Sequence, residues 1–268
     1  MSSKHFTIHS IRGFIETIFL VEYNEKLLLL DGGAKPDVEI IENFILQKLN
    51  RPMSDLKLII STHMHPDHAG AATFLRKKHN IPIAAHTEAD EWYSGFRGFI
   101  QQKFDIFLAS YVVRKKNNTK KDFKYPRKIN ADYLLKDGDL LPFFNDWKII
   151  HAPGHTSHMF VVYNQSEKTL YAADVLLVVN KKCKLPFPVE LKVLGEQTLL
   201  KLSKLEIKTL LLAHGGKREN INTKQKFLDL IPKLKQKYKF PMKLLIPFTS
   251  NNYPLKNYRK IEKKIMNN

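Results

Sequence analysis

The spacing of apolar and polar positions along the chain predicts an α/β protein. Two apolar runs at 14–23 and 26–30, joined by Asn24-Glu25, predict a β-hairpin. Apolar residues three and four positions apart predict helices over Val38–Leu49 and Ala69–His79. Short apolar runs between polar turns predict further strands, at Leu56–Ile60, Ile81–Ala85, Lys148–His151, Phe160–Tyr163, Thr169–Ala173 and Thr209–Ala213.

Two segments depart from this alternation. Between about residues 87 and 132, aromatic residues follow helical spacing over Trp92–Tyr111, which predicts a helical insertion that covers part of the molecule. The tail, about 217–268, is rich in lysine and predicts one helix near Lys224–Tyr238. Because no break in composition marks a second domain, we expect residues 1–268 to form a single domain.

The net charge of +18 is compatible with nucleic acid or an anionic membrane surface as a partner. However, only eight of the 44 basic residues are arginine, the residue best suited to bidentate phosphate and base contacts. An AT-rich coding sequence would explain the many lysines and asparagines equally well. We therefore keep nucleic acid as a partner that the composition permits but does not favour.

Cysteine usage and hydropathy exclude several classes of protein. Cys183 is the single cysteine, so an internal disulfide and a site of several thiolates are both excluded. No apolar run approaches the roughly 18 residues of a membrane span. The first residues do not form the apolar core of a signal peptide, so we expect a cytoplasmic protein.

Three histidines and an aspartate lie within six residues, directly after the predicted strand Leu56–Ile60. In this cluster, His63 and His65 can reach one ion, since residues two apart on an extended loop point the same way. Asp67 and His68 can reach a second ion close to the first. Imidazole and carboxylate suit zinc, with manganese or iron as alternatives.

Three later residues also follow predicted strands and could complete such a site. They are His155 in Pro153-Gly154-His155-Thr156, Asp174 after Ala173, and His214 after Ala213. Functional loops of α/β folds collect at the carboxyl ends of strands, so we expect these side chains to join the cluster.

These motifs, in this order, resemble those of the metallo-β-lactamase-fold hydrolases. The resemblance covers about residues 5–216, including the Asp31-Gly32-Gly33 turn. It implies a four-layer αββα sandwich with a binuclear metal site at one edge. By this resemblance, one ion would have three histidine ligands, the other would have three mixed ligands, and an aspartate would bridge them: His63, His65 and His155; Asp67, His68 and His214; and Asp174.

Two divalent ions that share a water lower its pKa, so that the resulting hydroxide can attack a scissile bond. Asp67 is a candidate catalytic residue, as acceptor of the proton of that water. His158 could orient a ligand or face the substrate, and Trp92 and Tyr93 of the aromatic insertion are candidate substrate contacts.

Three functions are compatible with this pattern. The first is hydrolysis of an ester, thioester or lactone bond in a small substrate, which an aromatic lid would favour. The second is a phosphodiesterase or nuclease attracted to phosphates by the lysines. The third is a non-catalytic module that binds metal or a partner. The pattern does not indicate an oligomeric state.

Overall fold

The computed structural model describes residues 6–236 and 253–267. Of the described residues, the amino-terminal half contains six strands, β1–β6, and four α-helices, α1–α4, besides short 3-10 and π-helical turns. In chain order these are β1 Thr7–Arg12, β2 Thr17–Glu22, β3 Leu27–Leu30, α1 Val38–Asn43, β4 Leu56–Ser61, α2 Pro66–Ala69, α3 Ala72–His79, β5 Ile83–His86, α4 Gly95–Asn117 and β6 Tyr133–Leu135.

The carboxyl-terminal half contains the remaining eight strands and four helices of the described residues. In chain order these are β7 Leu140–Leu141, β8 Phe144–His151, β9 Phe160–Asn164, β10 Thr169–Tyr171, β11 Leu177–Val179, β12 Lys182–Lys184, α5 Lys192–Ser203, β13 Thr209–Leu212, β14 Gly216–Glu219, α6 Thr223–Leu228, α7 Ile231–Leu234 and α8 Tyr253–Asn267.

Two six-stranded sheets stack on each other and form the centre of the fold. The first has the order β1-β2-β3-β4-β5-β6, and the second has the order β14-β13-β10-β9-β8-β7. Strands β3 to β6 run parallel to one another, whereas β1, β2 and β3 form an antiparallel meander. A separate hairpin of β11 and β12 stands beside the second sheet.

Alternate residues of each strand face different layers of the molecule. Phe19 and Leu28 of the first sheet share a core with Trp147 and Val161 of the second. Their neighbours on the opposite face, such as Leu20, pack with the residues of α1 and α3. Because α5, α6 and α7 contribute leucines and a phenylalanine to the core of the second sheet, helices cover both outer faces. This arrangement confirms the predicted four-layer αββα sandwich.

The predicted helix Ala69–His79 is interrupted in the structure. α2 ends at Ala69 and α3 begins at Ala72, because the chain here hydrogen-bonds to the Asp31-Gly32-Gly33 turn instead of continuing the helix. Ala71 N donates to Gly33 O at 3.0 Å, and Gly32 N donates to His68 O at 2.8 Å. These bonds join the carboxyl end of β3 to the loop that follows β4.

The tail and the insertion also differ in detail from the prediction. The helix expected near Lys224–Tyr238 is two short helices, α6 and α7, and Tyr238 lies outside the described residues. The insertion contains one long helix, α4, followed by a segment without regular structure up to residue 132. Within the described part of the chain, no helix is both long and apolar enough to cross a bilayer.

Candidate metal centre

The parallel order of the first sheet explains why the histidine loop lies at one edge of the sandwich. β4 lies between β3 and β5 and runs parallel to both. The loop after Ser61 therefore leaves the sheet beside the end of β3, where Asp31 stands. Thr62 N and Thr62 Oγ1 donate to the carboxylate of Asp31 at 2.6 and 2.7 Å, which holds the start of the loop.

Three histidine nitrogens form the first cluster of candidate ligands. His65 Nδ1 lies 3.0 Å from His63 Nε2 and 3.0 Å from His155 Nε2. These separations are close to the edge of a tetrahedron around zinc, which is about 3.3 Å for Zn–N bonds of about 2.05 Å. Burial is the main reason why the pKa of His63 lies well below its usual range, so its imidazole is neutral and can donate a lone pair.

A second cluster is more acidic. His214 Nε2 lies 3.3 Å from Asp67 Oδ2, and His68 Nε2 lies 3.9 Å from the same oxygen. Burial lowers the pKa of His68, but the carboxylates of Glu16 and Asp174 outweigh burial and raise it well above 6.5. This part of the site therefore carries an excess of negative charge that a cation would neutralise.

The carboxylate of Asp174 lies between the two clusters. Its Oδ2 is 3.6 Å from His155 Nε2, and its Oδ1 is 3.4 Å from both His68 Nε2 and His214 Nε2. Burial raises the pKa of Asp174, but the imidazoles of His214 and His68 outweigh it and hold the pKa well below its usual range. Asp174 Oδ1 and His68 Nε2 are buried without a hydrogen-bond partner. Unpaired buried polar atoms are costly, so their presence here fits a group that would coordinate them.

In His68 and His155, the ring nitrogen that points away from the candidate metal makes a hydrogen bond to the protein. His68 Nδ1 donates to Asp31 Oδ2 at 2.8 Å, and His155 Nδ1 donates to Pro188 O at 2.6 Å. A carbonyl and a carboxylate accept here, so in both rings Nδ1 carries a proton and Nε2 is the atom turned towards the candidate metal. A cation would have to displace the second proton of His68, whose pKa is raised, before that ring could bind through Nε2. The structure thus brings together the seven predicted ligands.

The sequence did not indicate Asp31 as part of the centre, since it was interpreted only as a residue of a turn. Its carboxylate is fully buried and accepts from Thr62, His68 and Tyr171. Its position could have been found from the sheet, because it ends the strand next to the histidine loop. Glu16, buried 3.3 Å from His68 Nδ1, has no such signal in the sequence.

The three predicted substrate contacts occupy different positions. Trp92 lines the cavity in front of the candidate ligands. His158 is buried and accepts a hydrogen bond from Met64 N at 3.0 Å. Tyr93 is also buried, and its hydroxyl donates to Asp105 Oδ2 at 2.8 Å. His158 and Tyr93 are not among the described residues that line this cavity.

The insertion contacts the histidine loop through a second network. Tyr125, which follows α4, donates its hydroxyl to Met64 O and lies 3.3 Å from the hydroxyl of Tyr93. Asp105 of α4 lies 4.0 Å from His65 Nε2, on the side of the ring opposite the candidate metal. Burial raises the pKa of Asp105 to about 7. The sequence predicted the aromatic insertion but not these polar contacts, because they depend on the path of the chain.

A cavity of about 490 Å³ opens in front of the two clusters. Its walls are mainly apolar and come from α4, from β11 and from the segment before α5. The apolar lining residues include Trp92, Leu108, Val112, Leu177, Val179 and Phe187. Among the described residues, those that line this cavity include no lysine and no arginine. The high positive charge of the chain is therefore not concentrated here.

The chain is similar in sequence to several known proteins. It is 22% identical over 243 residues to the probable metallo-hydrolase YflN of Bacillus subtilis (strain 168), covering 85% of this chain and 90% of that one. It is 24% identical over 172 residues to the hydroxyacylglutathione hydrolase GloC of Haemophilus influenzae, covering 62% and 69%.

A metallo-beta-lactamase family protein of Thermus thermophilus has the same fold. Its crystal structure superposes with a TM-score of 0.61 at 18% identity, covering 87% of this chain and 80% of that one. Residues 11–214 match the family profile of the Metallo-beta-lactamase superfamily, a span that contains every candidate ligand. The chain therefore belongs to the metallo-beta-lactamase superfamily of metallo-hydrolases.

Proposed function

We propose that this protein is a binuclear metal-dependent hydrolase that cleaves an ester, thioester or lactone bond in a small substrate with an apolar acyl group. The observation that carries this proposal is the position of Asp174. One of its oxygens faces the three-histidine cluster and the other faces the acidic cluster. A carboxylate that is shared in this way suits two ions a few ångströms apart.

The two clusters supply complementary ligand sets. His63, His65 and His155 would hold the first ion through Nε2, Nδ1 and Nε2. The second ion would be held by the carboxylate of Asp67 with the Nε2 atoms of His68 and His214. Nitrogen and oxygen donors of this kind suit zinc, and also manganese or iron. When bound, such ions supply an activated water and polarise the scissile bond.

Asp67 is our candidate catalytic residue. Its side chain lines the cavity, and its neighbours His68 and His214 hold the pKa of its buried carboxylate down at about 2, against the effect of burial. The carboxylate is therefore ionised and able to receive a proton during turnover. We expect Asp67→Ala to abolish turnover, and full activity of that variant would refute this role.

The cavity supports the choice of substrate. Apolar side chains surround the space in front of the candidate ligands, and the carboxylate of Asp105 stands in its wall. A phosphodiester would bring its negative charge into a wall without lysine or arginine among the described lining residues. An uncharged acyl ester, thioester or lactone would instead bury its chain against Leu108 and Leu177.

His158 and Tyr93 act, in our proposal, on the protein rather than on the substrate. His158 accepts from Met64 N, while Tyr125, supported by Tyr93, donates to Met64 O. The peptide groups on both sides of Met64 are thus held between His63 and His65. We assign these residues the role of orienting the two imidazoles, whereas Trp92 forms the wall of the cavity.

Metal analysis with an activity panel tests the proposal. The purified chain, loaded separately with zinc, manganese and iron, is given p-nitrophenyl esters, lactones, thioesters and bis-p-nitrophenyl phosphate. We expect about two ions per chain and turnover of the acyl substrates. A chain that binds no metal would overturn the whole proposal. Turnover of the phosphodiester alone would replace the substrate class.

Three variants relate the results of the panel to individual residues of the structure. Asp174→Asn should lose at least one ion and most of the activity, whereas Asp146→Asn, the same change at an exposed aspartate near Tyr23, should alter neither. Leu108→Asn places an amide in the apolar wall, so it should reduce the preference for hexanoyl over acetyl esters by about fivefold. An unchanged chain-length preference would contradict the proposed acyl substrate, whereas the proposed metal site would remain valid.

A further inference from the structure

Helix α4 presents a row of apolar side chains to solvent. Phe96, Phe107 and Tyr111 are 76%, 61% and 53% exposed, and Ile100 is 38% exposed. At 100° per residue, these four side chains fall within a sector of about 60° on the helix surface. The rings of Phe107 and Tyr111 lie 6.5 Å apart and nearly parallel. We call these four residues the outer face of α4.

Basic residues are frequent on α4 and on the segment that follows it. The segment 95–128 contains ten lysines and arginines and only two acidic residues. Of the two, Asp105 is a buried residue of α4, and Asp122 forms an ion pair with Lys35 at 2.6 Å. The segment is therefore strongly cationic, and at 100° per residue Lys103 and Arg114 fall beside or within the sector of the outer face. The ten basic residues are Arg97, Lys103, Arg114, Lys115, Lys116, Lys120, Lys121, Lys124, Arg127 and Lys128.

An exposed apolar row beside a dense positive charge fits one kind of partner better than others. An anionic lipid bilayer offers an apolar interior for the rings and negative headgroups for the lysines. A second copy of this chain would instead bring two cationic segments together, and like charges at an interface are unfavourable. We propose that the outer face of α4 docks on an anionic membrane surface, with α4 lying in the plane of the headgroups.

The cavity in front of the candidate ligands is lined in part by α4, so docking of this helix would also affect the cavity. Val112 of α4 is 45% exposed and lines the cavity, as does Val179 of β11, which is 40% exposed. At 100° per residue, Val112 lies about 130° around α4 from the centre of the outer face, so the cavity adjoins the docked helix on its other side. Docking would therefore hold the cavity close to the membrane and shorten the path of an acyl substrate that leaves the bilayer. This last step rests on the proposed hydrolase function, whereas the docking itself does not.

Vesicle sedimentation tests the docking with the full chain in its metal-loaded form. Binding is measured to vesicles of phosphatidylcholine alone and to vesicles of phosphatidylcholine mixed with phosphatidylglycerol. We expect the chain to sediment with the mixed vesicles and to be released by salt. Equal or absent binding on both compositions would overturn the proposal.

Two double variants identify the surface. Lys115→Gln with Lys116→Gln should weaken binding by about 25-fold, since each lysine near an anionic surface contributes about fivefold. The matched control is Lys224→Gln with Lys226→Gln, an exposed lysine pair on α6, which should leave binding unchanged. Equal losses in both pairs would mean a general effect of charge and would overturn the assignment to α4.

A second pair of variants measures how much the exposed apolar side chains contribute to vesicle binding. Phe107→Ser with Tyr111→Ser should weaken binding by about tenfold. Phe143→Ser, at a ring that is 49% exposed on the turn between β7 and β8, should not. Both variants should hydrolyse a soluble acetyl ester as the unmodified chain does, which separates loss of docking from loss of catalysis. Wild-type binding by the double serine variant would overturn the proposal.

Sedimentation velocity without lipid tests the alternative that the outer face binds a second copy of this chain. A dimer of the wild-type chain that Phe107→Ser with Tyr111→Ser converts to a monomer would assign the outer face to a second copy and overturn membrane docking. A monomer in both cases supports the lipid assignment. If vesicles are bound while no substrate of the panel is turned over, the docking stands and the proposed function fails.

Discussion

Replacing Asp31 by asparagine is the sharpest perturbation of the proposed second metal position. Asp31 Oδ1 accepts from Thr62 N, and Oδ2 accepts from Thr62 Oγ1, His68 Nδ1 and Tyr171 OH at 2.7, 2.8 and 2.6 Å. The residue is fully buried and has a φ of +65°, a conformation that asparagine tolerates well. The substitution therefore changes charge and acceptor capacity while it preserves the shape of the backbone.

The expected loss of metal affinity depends on which of the groups that donate to Asp31 can adapt to an amide. In the variant, an NH₂ group replaces Oδ2 if the oxygen stays opposite Thr62 N. Hydroxyls can rotate to accept from that group, but the Nδ1–H of His68 cannot, so its orientation and basicity are lost. Such losses of outer partners reduce metal affinity by about 10- to 100-fold, or about 1.4 to 2.7 kcal/mol.

Competition against a chromophoric chelator measures the two binding steps separately. We expect the step assigned to Asp67, His68 and His214 to weaken, and the step assigned to the three-histidine cluster to change much less. Asp146→Asn is the control, since that exposed carboxylate also accepts two hydrogen bonds, from Tyr23 and Asn164. Equal weakening of both steps, or no weakening, would refute the role given to Asp31.

Two further predictions concern stability. Burial raises the pKa of Glu42, but hydrogen bonds from Lys78 and His79 outweigh burial, so the folded pKa lies below 4.5. Its contribution is therefore present above the unfolded pKa and is lost as pH falls through the folded one. Urea unfolding of Glu42→Gln should show a deficit at neutral pH that disappears as the pH falls below 4.5; a deficit that grows on acidification would contradict this. Gly70→Ala should destabilise by about 3 kcal/mol, because a Cβ there would lie 2.2 and 2.8 Å from main-chain atoms. Gly195→Ala, with nothing closer than 3.5 Å, should raise the thermal midpoint slightly, and equal losses in the two variants would refute the steric argument.

The sequence was most informative where local pattern and tertiary position coincide. Apart from the exposed Lys57 and the buried final serine, the strand Leu56–Ser61 is apolar and buried. The histidine loop follows it directly, so strand and ligands could be predicted together. The start of helix α3 was predicted wrongly, at Ala69 instead of Ala72. Hydrogen bonds to Gly32 and Gly33, which are distant in sequence, interrupt the helix before Ala72. The short hairpin of β11 and β12 carries no periodic signal, and it was not predicted.

The partners behind the ligands were harder to predict, since each depends on a contact between distant segments. Asp31 reaches His68 across 37 positions, and His158 reaches Met64 across 94. An isolated aspartate in an Asp-Gly-Gly turn favours a turn on local grounds alone. Only the parallel pairing of β3 with β4 brings its carboxylate to the histidine loop.

The hydrogen bonds of Met64 connect the two parts of the proposed mechanism. Its N–H donates to His158 from the loop between β8 and β9, and its carbonyl accepts from Tyr125 of the insertion. Any movement of α4 that displaced Tyr125 would therefore act on the peptide between His63 and His65, as well as on the wall of the cavity. If α4 docks on a membrane, the same helix would hold the cavity close to the membrane and stabilise the geometry of the candidate ligands. Tyr125→Phe should then weaken metal binding at the three-histidine cluster more than it changes the preference for long acyl chains. Competition with a chelator would measure the first effect, and the series of esters would measure the second.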